Sequence, residues 1–343
     1  PQNPKTPRAS SHIIFRYFFT LKMVESSSKP TVLITGVSGY LGSHVALVFL
    51  KDGNYTVRGT VRDTKNEKKI APLKKAFGEL FDKMTLVEAD LENAESLMKA
   101  VEGAVYVIHT ASPFPLAKPK SEMDLINPAL NGTKAVMEAC KAHKVKKVVI
   151  TSSIAAIMAA KPENKPKDFI FTEKNWSDPS EGTHIDPYPK SKTLAEKFAW
   201  DFREALPEQD KFDVITINPG FILGPAFVGA GFASGEVIDK IINGKFPALP
   251  KTRIACVDVR DVAMAHLLAI TKPEAANKRF SLVNKSLWMT EIGQILAADF
   301  KKMGYKTTTT ECPYWVAYCG SFFMSELSGA VKNWGVKTEF ENT

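Results

Sequence analysis

The stretch that most constrains the fold is residues 31–62, TVLITGVSGYLGSHVALVFLKDGNYTVRGTVR. Thr31 to Thr35 is a short apolar, β-branched run of the kind buried in a parallel sheet. Gly36, Gly39 and Gly42 follow in the spacing G-x-x-G-x-x-G, then a helical stretch over 41–50 and a second strand over Thr56–Val61. Strand, glycine turn, helix and strand make a βαβ unit about thirty residues long. One glycine lets the chain turn sharply out of the strand. Another leaves room for a pyrophosphate against the backbone, and a third lets helix and strand pack closely. The helix start, Tyr40-Leu41-Gly42, offers free N–H groups and the positive end of the helix dipole to the phosphates. A dinucleotide site is expected here.

The end of the second strand selects the cofactor. An acidic residue there would bond the ribose 2′-hydroxyl of NAD, whereas an Arg accommodates the 2′-phosphate of NADP. The strand ends at Arg62, and Lys65, Lys68 and Lys69 follow; Asp63, one position late, is the opposing signal. The lysines mostly read as a solvated helix face. Arg62 sits where the adenosine ribose should lie, so NADPH is the expected cofactor.

Beyond Arg62 the pattern keeps alternating. Helices are expected over 65–80, 92–101 and 121–143, and strands over 84–87, 104–108, 147–151 and 214–217. This predicts an α/β chain with a Rossmann-type doubly wound parallel sheet and ligands at the C-terminal strand ends. Polar groups gather at those ends. Asp90 suits the adenine amino group, or a helix N-cap. Thr110-Ala111-Ser112 supplies small residues where a cofactor must pass close to the backbone. Ser153 is the catalytic candidate, although a lone strand-end serine is more often a turn residue.

Tyr188 and Lys192 are four apart and share one helix face. Alone, Y-x-x-x-K is close to noise. Beside a dinucleotide fold and an upstream strand-end serine it becomes specific. A carbonyl that accepts hydride becomes an alkoxide and must be protonated, and Tyr188 can supply the proton as general acid. The Lys192 ammonium stabilises the phenolate and can hold the nicotinamide ribose hydroxyls, which sets proton and hydride geometry together. Ser153 can donate to the carbonyl oxygen and stabilise charge developing there.

At this point the chain resembles the extended short-chain dehydrogenases/reductases, and within them the dihydroflavonol reductase, cinnamoyl-CoA reductase and yeast methylglyoxal reductase group. The stretches that carry the resemblance are TGVSGYLGSH, TVRGTVRD, ADLE, VIHTASPF, VVITSS, YPKSKTLAEK, INPGFILGP and VDVRDVAMAHLLA, spread over 31–285. It implies that Ser153, Tyr188 and Lys192 form the catalytic triad. It also implies that Arg62 and Lys69 contact the 2′-phosphate, that Asp90 and Leu91 flank the adenine, and that Pro219 lies beside the nicotinamide. Two departures bear on substrate. Met158 stands where dihydroflavonol reductases usually carry an Asn or Asp. The stretch His184-Ile185-Asp186-Pro187-Tyr188-Pro189-Lys190 differs from the cinnamoyl-CoA reductase pattern N-W-Y-C-Y-G-K. The match is nearer the broad aldehyde and ketone reductases, so a small-molecule carbonyl substrate is expected.

Composition matters mainly for what it excludes. The formal net charge is +8, yet the lysines are scattered among acids, with no basic cluster interleaved with aromatics and no zinc spacing. No nucleic-acid partner is expected. The four cysteines form no C-x-x-C pair, a pattern of reducing compartments without a metal site. No apolar run reaches a membrane span. Residues 1–29 read as a leader: basic, serine-containing, without an acid before Glu25. That suits a transit peptide and a mitochondrial location. Upstream sequence ahead of a start at Met23 fits slightly better, which makes the expected location cytoplasmic.

The expected division is an NADP-binding unit over 30–220 plus 253–285, and a smaller substrate lobe over 221–252 plus 286–343. Val257 to Val262 should begin a helix that returns to the Rossmann sheet, capped by Asp258. Phe221, Ile222, Phe227, Phe232, Trp288, Tyr314 and Trp315 are candidate pocket walls, though apolar aromatics are more often core. A monomer or a homodimer is expected. Two rivals to carbonyl reduction stay open: an epimerase, dehydratase or hydroxysteroid dehydrogenase with a related triad, and a non-catalytic nucleotide-binding subunit.

Overall fold

The structure, a computed structural model, describes residues 29–112, 121–159, 169–180, 185–228, 232–321, 329–331, 333–336 and 338–341. The leader expected over 1–29 lies outside these, apart from Lys29, as does His184.

Seven strands form the central sheet: β1 (Thr31–Thr35), β2 (Thr56–Val61), β3 (Met84–Glu88), β4 (Tyr106–His109), β5 (Lys147–Thr151), β7 (Asp213–Pro219) and β10 (Arg279–Leu282), while β6 (Ile170–Phe171) pairs apart from it with β12 (Glu339–Phe340). Their spatial order is β3-β2-β1-β4-β5-β7-β10, and every pairing is parallel. The chain winds outward from β1 to β3, then crosses back and winds outward from β4. The switch point therefore lies between β1 and β4, where a doubly wound sheet opens a crevice for ligands.

Alternation along each strand builds the two cores. Val32, Ile34, Ile108, Val149 and Ile215 face α1 (Tyr40–Asp52), α2 (Glu67–Phe77) and α8 (Val259–Thr271). Leu33, Val107, Val148, Ile150 and Val214 face α3 (Ala94–Val101), α4 (Met123–Ala142) and α6 (Pro187–Glu204). Both faces are covered, which is why these strands read as unbroken apolar runs.

The expected helix over 65–80 stops at Phe77, and a 3₁₀ turn over Gly78–Lys83 leads into β3. The strand expected from Ala104 starts two residues later, at Tyr106.

Residues 253–258 differ from their expected place. They form β9, which pairs with β8 (Phe221–Leu223) and β11 (Lys285–Trp288) in a separate three-stranded sheet. The following helix, α8, packs back on the central layer, against α1, and Val257 of β9 joins the same core. The Asp258 side chain accepts the Arg260 N–H and caps α8 as expected. The small sheet packs with α7 (Ala233–Ile242) and α9 (Met289–Phe300) around Ile241, Leu249, Met289 and Ile292.

Candidate active site

The glycine turn leaves β1 at Gly36, whose φ of +72° is a left-handed backbone that side chains disfavour. A Cβ on Gly36 would also press on Ala111 at 3.0 Å, and a Cβ on Gly42 would sit 2.3 Å from the Gly36 carbonyl oxygen. The first clash bars a side chain between the glycine turn and the 110–112 segment, the second between turn and helix. Thr60 of β2 secures the turn from the other side: its Oγ1 accepts the Gly36 N–H at 3.0 Å and its carbonyl accepts Val37 N–H at 3.1 Å.

Helix α1 then starts with no side-chain cap on Gly39 and no acid in its first turn. By helix geometry the N–H groups of Tyr40, Leu41 and Gly42 have no acceptor inside the helix. Free donors, a positive dipole end and a turn kept bare of side chains fit a pyrophosphate. Arg62 follows β2 directly and is exposed, as is Lys69 in the first turns of α2; neither makes an ion pair among the described residues. Asp63, the opposing signal, spends its carboxylate on a turn, accepting the Lys65 N–H at 2.8 Å.

Just after β3, Asp90 is half-buried and accepts the Glu92 N–H at 3.0 Å. The cap of α3 is Asn93, which accepts from Ser96 N–H at 3.0 Å, so the N-cap role considered for Asp90 falls to Asn93. Leu91 lies against Gly132 of α4.

The 110–112 segment is tied to β1. Thr110 Oγ1 donates to the Thr35 carbonyl at 2.5 Å, and Ala111 N–H donates to Thr35 Oγ1 at 3.1 Å. Ser112 is exposed, and its Oγ accepts from Lys192 Nζ at 3.0 Å. Tyr188 sits in the first turn of α6, just after Pro187 and the N-cap Asp186, and is 41% exposed. Lys192, one turn on, holds its ammonium 6.0 Å from the centre of the Tyr188 ring.

Ser152 and Ser153 directly follow β5 but have different surroundings. Ser152 is buried and donates to Glu196 at 2.5 Å. Ser153 is half-buried, and its Oγ accepts the Ala155 N–H at 3.1 Å, which leaves its own proton available. Pro219, at the end of β7, accepts the Ile154 N–H at 3.1 Å through its carbonyl. Met158 closes the short helix α5 (Ala155–Met158).

Two buried histidines underlie these strand ends. His109 ends β4 and contacts Thr35 Oγ1 through Nδ1 at 3.0 Å; burial, and then the Lys192 charge, push its imidazole down to about 4. His266 of α8 donates from Nδ1 to the Val262 carbonyl at 2.7 Å, so its Nε2 accepts from Thr151 Oγ1 at 2.8 Å. Burial pushes His266 down to about 4 as well. Both are neutral in the fold, whereas an unfolded His titrates near 6.5. The unfolded chain therefore binds more protons between those values. Their contribution is complete above pH ~6.5 and is lost as pH falls toward 4, about 3 kcal/mol for each at the limit. Urea unfolding midpoints are expected to fall steadily from pH 7 to 4.5, with a shallower slope for His266→Gln. Parallel slopes for the two proteins would contradict this.

The seven candidate pocket walls are not brought into one pocket. Phe232 stacks on Tyr40 at 3.9 Å and Phe227 on His44 at 4.0 Å, so both rings pack on α1. Tyr40 OH also donates to the Gly224 carbonyl at 3.1 Å. Phe221 and Ile222 pack in the cores, and Trp288 stacks under Arg253 at 5.4 Å. Tyr314 and Trp315 are largely exposed on α10 (Tyr314–Ser321). Of the seven, only Phe232 lines the apolar cavity of about 270 Å³ between α7 and α9. Among the described residues, no three His, Cys, Asp or Glu side chains gather to hold a metal. Among them, no helix is long and apolar enough to cross a membrane.

Sequence reasoning did not single out Glu196 or Asn218, which link these elements from below. The one available signal was that Glu196 continues the four-residue spacing of Tyr188 and Lys192.

The sequence pattern of the NAD dependent epimerase/dehydratase family matches residues 32–282. The chain is 35% identical over 276 residues to the cinnamoyl-CoA reductase CAD2 of Medicago truncatula, covering 80% of this chain and 82% of that protein. It is 31% identical over 287 residues to the NADPH-dependent methylglyoxal reductase GRE2 of Saccharomyces cerevisiae, covering 79% and 82%. The solved structure of yeast methylglyoxal/isovaleraldehyde reductase Gre2 complexed with NADPH matches with a TM-score of 0.72 at 26% identity, over 91% of this chain and 90% of that one.

Proposed function

The chain belongs to the NAD dependent epimerase/dehydratase family, and from that premise we propose that it is an NADPH-dependent reductase of aldehydes or ketones. The observation that supports this most is the meeting of α6 with the cofactor edge of the sheet. The Lys192 ammonium reaches Ser112 Oγ at 3.0 Å while standing one turn from the Tyr188 ring.

Cofactor and substrate have separate holders. The glycine turn and the N–H groups of Tyr40, Leu41 and Gly42 hold the pyrophosphate; Arg62 and Lys69 hold the 2′-phosphate. Asp90 and Leu91 border the adenine. Thr110, Ala111 and Ser112 line the path to the nicotinamide, with Pro219 beside it. NADPH, when bound, supplies the hydride. Ser153 donates its free proton to the carbonyl oxygen of the substrate and stabilises charge building there. Tyr188 OH gives the proton that completes the alcohol. Lys192 stabilises the phenolate left behind and orients the ribose hydroxyls.

The relatives support a carbonyl substrate, since two of them are named as reductases of methylglyoxal and of cinnamoyl-CoA. Met158, at the end of the helix following Ser153, brings a thioether where a flavonoid-binding amide would donate. Apolar aldehydes and ketones without a matching polar ring substituent are therefore favoured.

The test is a panel of aldehydes and ketones followed by NADPH absorbance, repeated with NADH. Oxidation of NADPH that depends on a carbonyl, and is slower with NADH, is expected. A nucleotide sugar turned over without net NADPH loss would point instead to epimerisation.

A further inference from the structure

Building on the Ser153–Tyr188–Lys192 reading, we infer that Glu196 is a positioning residue for that site, acting on Ser153 through Asn218. Glu196 lies on α6 one turn beyond Lys192, and its side chain has no solvent exposure. Four donors converge on its carboxylate. Oε2 accepts from Ser152 Oγ at 2.5 Å and Asn218 Nδ2 at 2.7 Å; Oε1 accepts from Thr216 Oγ1 at 3.0 Å and Arg279 Nε at 2.6 Å. Arg279, itself only 10% exposed, makes the buried charge tolerable. The Arg279 guanidinium is held in turn by the carbonyls of Glu173 and Asn175 and lies 3.6 Å from the Trp176 ring centre.

An ion pair that served stability alone would not need this arrangement. The same Asn218 amide nitrogen that donates to Glu196 also donates to the Ser153 carbonyl at 3.1 Å. Asn218 Oδ1 is buried without a hydrogen-bond partner among the described residues. The carboxylate, whose bond is the shorter of the two, therefore joins the Ser153 carbonyl in setting which way the amide faces. With its nitrogen toward Ser153, Asn218 pins the turn after β5. That turn presents Ser153 Oγ, which is steadied by Ala155 N–H and has its proton free.

The isosteric change Glu196→Gln breaks this link selectively. One carboxylate oxygen becomes an NH2 donor. It cannot face Arg279, which has no acceptor, so it must face Asn218. Asn218 then turns its oxygen toward Gln and withdraws its N–H from Ser153.

The experiment measures kcat, KM and NADPH dissociation constants for Glu196→Gln, Ser153→Ala and the double variant, with the best aldehyde of the panel. Glu196→Gln is expected to lower kcat about 10–100-fold with NADPH affinity within about twofold of wild type. In the Ser153→Ala background the further loss should shrink below about threefold, because no hydroxyl remains to misplace. Asn218→Ala leaves the ion pair intact and is expected to behave in the same way, which keeps the test available if Glu196→Gln does not fold. Losses that multiply onto Ser153→Ala, or NADPH affinity that falls with kcat, overturn the positioning role and leave the triad reading standing. Wild-type turnover in Ser153→Ala overturns both.

Discussion

Replacing Tyr188 with Phe is expected to lower NADPH-dependent carbonyl reduction by about 10²–10⁴-fold while NADPH still binds. The change removes one oxygen and keeps the ring. Tyr188 lies in the first turn of α6, where Pro187 and the extended Asp186 fix the start of the helix. Its 41% exposure shows that its packing does not hold the fold together. Stability should therefore hardly change. The ring also keeps its place beside the Lys192 ammonium. Under the proposed mechanism, what disappears is the proton for the alkoxide, which solvent then has to supply. Rapid-mixing kinetics with the Phe variant, alongside an NADPH fluorescence titration, checks this. A variant that keeps more than about a tenth of the wild-type rate rules out Tyr188 as the proton donor.

The second large effect concerns the cofactor. Arg62→Ala should weaken NADPH about 10–100-fold and leave NADH nearly unaffected, because charge-assisted bonds to a phosphate contribute about 1.5–3 kcal/mol. The geometry favours Arg62 over the neighbouring lysines. It directly follows β2, two residues after Thr60, whose Oγ1 and carbonyl hold the glycine turn. Asp63 cannot easily substitute as a ribose ligand for NAD, since it is engaged by Lys65 N–H. The ratio of kcat/KM for NADPH and NADH in wild type and variant measures the effect. An unchanged ratio would move the 2′-phosphate contact elsewhere, Lys69 being the next residue to test.

The central sheet was legible because burial on both faces leaves a direct mark on sequence. Thr31–Thr35 and Lys147–Thr151 are mainly apolar, β-branched runs, and the structure bounds both, and Thr56–Val61, as the pattern does. The small sheet left no such mark. Arg253–Asp258 runs straight into a capped helix. Its partners at 221–223 and 285–288 are distant in sequence, so pairing decided its place rather than local preference.

The candidate site divides in the same way. Glycine spacing, a strand-end Arg and a Tyr–Lys pair are local patterns. Glu196 is not: a charged residue on a helix ordinarily reads as solvated. Only the folded chain brings Ser152, Thr216, Asn218 and Arg279 to it from β5, β7 and β10. The aromatic residues of the C-terminal lobe misled for a related reason. Phe227 and Phe232 are spent on His44 and Tyr40, an arrangement that neither segment announces by itself.

Hydride transfer to a carbonyl carbon can be observed directly. NADPH carrying two deuterons at C4 is incubated with the protein and the best aldehyde or ketone of the panel, and the product is analysed by mass spectrometry and NMR. The expected product is an alcohol with one deuterium on the former carbonyl carbon, formed in step with NADP⁺ and absent with Tyr188→Phe at matched times. NADPH that stays reduced with every carbonyl tried, or an alcohol without deuterium, would contradict a carbonyl reductase.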